Sequence, residues 1–189
     1  MPSNKDRLYV ALHARAGRSK MPGGEDKYHW ALLIGPKHEV AGESGKVRGK
    51  RIHAKERILD DGSGTSTWVY TEEEVNMKAV MMLLVRVQVA KCRDTEGVLA
   101  ALRTVPLRGG KKPAWNCVAW VREALETLDG TGVLGRSAVL EWSRVRDASM
   151  AYAQKKAAEH RFDGKAKPGR FDTAKVPTYD LLRNREMIP

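Results

Sequence analysis

Two hydrophobic periods follow one another along this chain. Up to about residue 90 the apolar positions alternate or form short continuous runs, which is the signature of strands. From Asp94 onward they recur at spacings of three and four, which is the signature of helices. Residues 7–14 (Arg-Leu-Tyr-Val-Ala-Leu-His-Ala) predict a first strand, and residues 28–34 (Tyr-His-Trp-Ala-Leu-Leu-Ile) a second, stopped by Gly35 and Pro36. Alternation on the second puts Tyr28, Trp30, Leu32 and Ile34 on one face and His29, Ala31 and Leu33 on the other. Residues 51–57 predict a third strand, with Ile52 and Ala54 facing one side and His53 and Lys55 the other. A short strand is expected at 67–71 and a long one at 80–90, the latter apolar at first and then emerging toward solvent through Arg86 and Gln88. The polar, glycine-bearing stretches 15–27, 37–50 and 60–66 read as loops, and Glu72-Glu73-Glu74 reads as a solvated turn or helix start.

The helical half begins with residues 94–105, where Val98, Leu99, Leu102 and Val105 share a face, Asp94 or Thr95 caps, and Pro106 terminates. A second helix opens at Cys117. Asn116 is a good N-cap, and Cys117, Trp120, Val121, Ala124, Leu125 and Leu128 form one stripe that finishes near Asp129 and Gly130. A third and longer helix is expected within 136–162. Strands first and helices after, joined by short connections, predict an α+β domain: an antiparallel sheet of about five strands packed against helices. That domain is expected to span residues 1–162. Residues 163–189 lose periodicity and read as a basic C-terminal tail, partly docked through the stretch beginning at Val176.

Composition narrows the partners. At 189 residues the chain can bury a real core, and 42% apolar with 30% charged residues is ordinary for a globular protein. Lys and Arg exceed Asp and Glu by 34 to 23, a net charge of +11. The excess sits at both ends, whereas residues 61–135, which hold Cys117, balance. A basic surface invites RNA, phospholipid headgroups or phosphorylated metabolites, and its plainer reading is a solvated surface. Two cysteines suggest neither a disulfide framework nor a four-ligand zinc site, and Gly109-Gly110-Lys111-Lys112 lacks P-loop spacing. No metal and no cofactor is expected. The polar N-terminus does not read as a secretory signal, and the longest apolar run, 79–85, is far short of the ~20 residues of a membrane span, so a cytoplasmic protein is expected.

Cys117 is the candidate nucleophile. In the first turn of a helix its thiol meets unpaired backbone N–H groups and the positive end of the helix dipole, so it is expected to ionise more easily. A thiol nucleophile needs a base, and a third group to orient that base. Of the five histidines, His38 lies in a polar loop and His160 on a charged helix end, both read as surface residues. His29 and His53 sit on strands of one sheet and could meet Cys117. Singly, a strand histidine or a helix-start cysteine is an ordinary core residue; the three together define a candidate site.

Tyr-His-Trp-Ala-Leu-Leu-Ile-Gly at 28–35, Arg-Ile-His-Ala at 51–54 and Asn-Cys-Val-Ala-Trp-Val at 116–121 occur in this order. The ordered trio resembles the lecithin retinol acyltransferase family, circularly permuted relatives of the papain-like NlpC peptidases. The resemblance covers about residues 7–128. It implies Cys117 as nucleophile, His29 as general base and acid, and His53 as the orienting third residue, with Glu56 the alternative because the two histidines are widely separated. It also implies a cysteine-dependent hydrolase or acyltransferase that attacks an amide, ester or isopeptide bond in an acyl- or peptide-like substrate through an acyl-enzyme. The alternative is a non-catalytic binding module of the same fold that holds RNA or another polyanion through its basic ends.

Overall fold

From Leu8 to Leu12 the first strand carries no charged residue, so neither of its faces suits solvent, and it takes the middle of a sheet. The computed structural model describes residues 5–40, 45–109 and 114–189. Residues 1–4, 41–44 and 110–113 lie outside the described residues, and with them part of the loop expected at 37–50 and of the Gly109–Lys112 segment. Five strands come first: β1 (Arg7–Ala14), β2 (Tyr28–Gly35), β3 (Arg48–Ile58), β4 (Ser66–Asn76) and β5 (Leu83–Lys91). Three helices follow, α1 (Thr95–Arg103), α2 (Cys117–Leu128) and α3 (Trp142–Ala158), and then the short strands β6 (Thr178–Asp180) and β7 (Arg185–Ile188). Among the described residues all seven strands join one sheet in the order β4-β3-β2-β1-β5-β6-β7. Every neighbouring pair is antiparallel except β5 and β6. The architecture is α+β as expected, with more strands than the five anticipated.

The helices cover one face, where Trp30 and Trp120 are fully buried among Leu8, Val10, Leu32, Ile52, Val85, Val87 and the apolar stripes of α1 and α2. Each such large side chain stabilises the fold by about 1.5–3 kcal/mol. Connections rather than helices cover the other face: Tyr9, Ala11, Leu33 and Leu83 meet Val47, Met77 and Val176. Asp94 caps α1 by accepting from the Gly97 N–H, and Asn116 caps α2 by accepting from Val118 and Ala119. Asn116 is the expected cap, and of the two residues expected for α1 it is Asp94 that caps while Thr95 begins the helix.

Three expectations are corrected. The Glu72–Glu74 run is neither a turn nor a helix start but lies inside β4. It pairs with the basic β3, where Arg51 stands opposite Glu73 and Lys50 opposite Glu74, and cross-strand charge pairs stabilise the strand there. Residues 80–82 turn before β5 begins, leaving Met81 93% exposed. Arg86 and Gln88 do not emerge to solvent, because the tail returns as β6 and covers them. Arg86 pairs with Glu39 at 2.6 Å and donates to Thr178 Oγ1 at 2.9 Å, while Gln88 lies against Asp180. Lys156 of α3, 1% exposed, bridges Glu159 and Glu186 at 2.6 Å each and so holds β7 against the helix.

Because Asn116 satisfies two N–H groups at the start of α2, Asn116→Ala should cost about 1 kcal/mol. Urea denaturation should show this as a lower midpoint with an unchanged slope.

Candidate active site

A row of imidazoles crosses the face of the sheet that points away from the helices. The β1–β2 register sets His13 directly opposite His29, with ring centroids 6.0 Å apart. His53 of β3 completes the row: its Nδ1 lies 2.6 Å from His29 Nε2, and the rings meet edge to face at 4.9 Å. His13 and His53 are almost fully buried, and His29 is partly so. The structure therefore brings His29 and His53 together. Sequence reasoning passed over His13, although its place in the Tyr9, Ala11, His13 alternation was a usable signal. His38 and His160 are exposed, as expected.

Cys117 approaches from the other side. Its side chain belongs to the helix-face core with Trp30, whereas His29 projects from the opposite face of β2. Contact between the two sides runs through the backbone. Pairing of β2 with β3 is confined to Leu32, Leu33 and Ile34, so the strand edge beside Trp30 is open. There the Trp30 N–H, in the peptide directly after His29, faces the Cys117 thiol. The loop at 15–27 closes around this point. Arg15 donates to the Asp26 carbonyl at 3.0 Å, the Trp30 indole donates to the Glu25 carbonyl at 2.8 Å, and Asn116 Nδ2 touches Met21 Sδ.

The thiol does not ionise more easily than usual. Burial pushes Cys117 up, and this outweighs the Trp30 N–H, the Arg15 guanidinium and the N–H groups of Cys117 and Val118, all of which favour the thiolate. The helix-start effect is thus present but smaller than desolvation. Burial likewise pushes His29 down to about 4, helped by Arg51, Arg15 and Lys55. It pushes His53 down to about 3, with His29 and Arg51 adding and Glu73 opposing, and His13 to about 3, with His29 and Arg51 adding. Burial thus favours the uncharged form of the thiol and of all three imidazoles.

Glu56 lies on the other side of β3 from His53. It follows Ile52 and Ala54 on the helix side, is exposed, and among the described residues accepts from Ser66 Oγ at 3.3 Å. The carboxylate beside the imidazoles is Glu73 of β4, whose Oε1 is 4.0 Å from His53 Nε2.

A family model matches residues 5–188. The chain belongs to this family, one of unknown function (DUF6914). No curated protein and no solved structure matches it. In this DUF6914 chain no helix among the described residues is long and apolar enough to cross a membrane, and no group of three or more metal-ligating side chains occurs among them.

Chemically, two joined imidazoles can relay a proton and fix each other's tautomers, and a thiol at a helix start can attack an electrophile once deprotonated. Burial of the histidines also governs stability. Their folded pKa values lie below the ordinary 6.5, so the unfolded chain takes up protons first as the pH falls. Stability should be complete above about pH 6.5 and decline as acid is added, until the folded values of about 3 to 4 are reached. At about pH 5 the loss should be of order 2 kcal/mol for each fully buried histidine. Urea midpoints measured between neutral pH and pH ~5 should fall accordingly, and His13→Asn should flatten the slope.

Proposed function

We propose that this chain is a cysteine-dependent hydrolase or acyltransferase in a circularly permuted papain-like arrangement, with Cys117 as nucleophile, His29 as base and acid, and His53 as the residue that orients His29. The single observation that carries the reading is the 2.6 Å His29 Nε2–His53 Nδ1 contact one peptide away from the N–H that faces the thiol. It engages Nε2 of His29 and leaves Nδ1 to serve as the base. The ordered resemblance of residues 28–35, 51–54 and 116–121 to lecithin retinol acyltransferases supports it independently.

In the proposed reaction Sγ of Cys117 attacks the carbonyl carbon of an amide, ester or isopeptide as its proton passes to His29 around the open strand edge beside Trp30. Burial favours the uncharged thiol and the uncharged imidazole, so in this scheme the proton moves with bond formation rather than before it. The Cys117 N–H stabilises the oxyanion. The intermediate collapses, the leaving amine or alcohol takes the proton from His29, and the acyl-enzyme remains. Water, an amine or an alcohol, deprotonated by His29, then displaces Cys117 to complete hydrolysis or transfer.

A chloroacetamide electrophile followed by peptide mass spectrometry tests this reading, with Cys92 as an internal control, since burial pushes that thiol up to about 12. Cys117 should be labelled well ahead of Cys92, and His29→Ala should slow its labelling by roughly a hundredfold. Labelling no faster than in the urea-unfolded chain, or unchanged in His29→Ala, would overturn it.

The high thiol pKa favours a second reading, a non-catalytic module that uses the basic ends of the chain to hold a polyanion such as RNA. Under it, binding to a generic RNA should weaken steeply with added salt, while Cys117 stays unreactive.

A further inference from the structure

The His29–His53 contact accounts for one nitrogen of each ring, and the far nitrogen of His53 is left over. His53 Nε2 is buried and has no hydrogen-bond partner among the described residues. It faces Glu73 Oε1 at 4.0 Å. Glu73 stands across the β3–β4 ladder from Arg51 and is gripped from both sides. Arg51 Nη2 donates to Oε2 at 2.5 Å, and Lys55 Nζ donates to Oε1 at 3.0 Å. Those two cations hold the carboxyl well down, to about 2, against the opposing effect of burial, so it is ionised at any working pH.

We infer that Glu73 is a positioning residue that fixes the proton of His53 on Nε2 and, through it, the tautomer of His29. The inference rests on the proposed thiol chemistry for its purpose but not for its geometry. A nitrogen lone pair aimed at a carboxylate is repelled, whereas an N–H aimed at it is attracted, and inside a protein this difference is larger than in water. A carboxylate beside Nε2 therefore places the proton there. His53 Nδ1 is then a bare acceptor, and at 2.6 Å from His29 Nε2 it demands that His29 carry its own proton on Nε2. Nδ1 of His29 is left with a lone pair, the state in which it can take a thiol proton. One ionised side chain on the neighbouring strand sets the protonation pattern two rings away. The separation of 4.0 Å exceeds a direct hydrogen bond, so the interaction acts through charge and dipole or across one bridging water. Arg51 and Lys55 aim the carboxylate and keep it charged. The structure thus joins three groups in a row, His29, His53 and Glu73, and the proposed thiol chemistry adds Cys117 as the fourth.

The test is long-range 1H–15N NMR of the histidine-labelled full chain at neutral pH, with Cys117 alkylation measured in parallel. In the wild type, His53 and His29 should both be Nε2–H tautomers. In Glu73→Gln the His53 signal should move toward a mixture or toward Nδ1–H, His29 should follow, and alkylation should slow roughly tenfold. Glu73→Asp should restore most of the wild-type pattern. An Nδ1–H tautomer of His53 in the wild type would overturn the inference with no variant needed, for then the cations rather than the carboxylate govern that nitrogen. So would an unshifted His53 tautomer in a folded Glu73→Gln protein. A tautomer shift accompanied by alkylation that depends on neither Glu73 nor His29 would uphold Glu73 as positioning residue and overturn the thiol chemistry instead.

Discussion

The arrangement depends on where β2 and β3 stop pairing. Their ladder holds Leu32, Leu33 and Ile34 against Ile52, Arg51 and Lys50 and goes no further toward Tyr28. β3 is kept in the sheet over its whole length by β4, reinforced by opposite charges across that pair. The edge of β2 is therefore free to diverge without unravelling β3. If the ladder continued, β3 would take up the backbone groups beside Trp30, and the start of α2 would meet a closed strand. Because it ends, the Trp30 N–H faces the Cys117 thiol, and two groups that side-chain alternation assigns to opposite faces of β2 are linked by one peptide.

Burial at this junction organises the site and also limits its reactivity. Strand register sets His13 beside His29, and the His29–His53 contact extends the row to β3. The same exclusion of water lowers their basicity and raises the thiol. Arg15, Arg51 and Lys55 sharpen the contrast: they disfavour an imidazolium, and Arg15 favours a thiolate. Burial thus favours the uncharged form of the thiol and of the imidazoles alike. Glu73 is a carboxylate that opposes the local positive field at His53, so its influence falls on that ring.

Much of this was legible in the residues. The bounds of β1, the start of β2, the Asp94 and Asn116 caps and the two faces of β3 all follow from rules acting over a few positions. The alternation that set His53 opposite to Ile52 and Ala54 is the one observed. Strand propensity disfavours the acidic run at Glu72–Glu74 locally, and its basic partners on β3 make a strand of it. Arg86 and Gln88 were read as emerging to solvent because their cover, β6, comes from the distant tail. The wide separation of His29 and His53 in the chain makes Glu56 an alternative on paper, yet period-two alternation sends it to the other face of β3, while Glu73 arrives from the neighbouring strand.

By itself, then, the sequence determined the local matters: element type, caps, the faces of each strand, and a cysteine at a helix start preceded by histidines on strands. Such features depend on backbone sterics and on side chains within a turn or a strand of one another. The tertiary structure decided what depends on desolvation and on partners far away in the chain. It joined His29 to His53, added His13 to the row, set Glu73 rather than Glu56 beside it, and reversed the expected acidity of Cys117. That last outcome was beyond the sequence for a physical reason. The helix-start effect belongs to the nearest turn, but the larger opposing cost is set by how completely the assembled sheet, loop and helix exclude water.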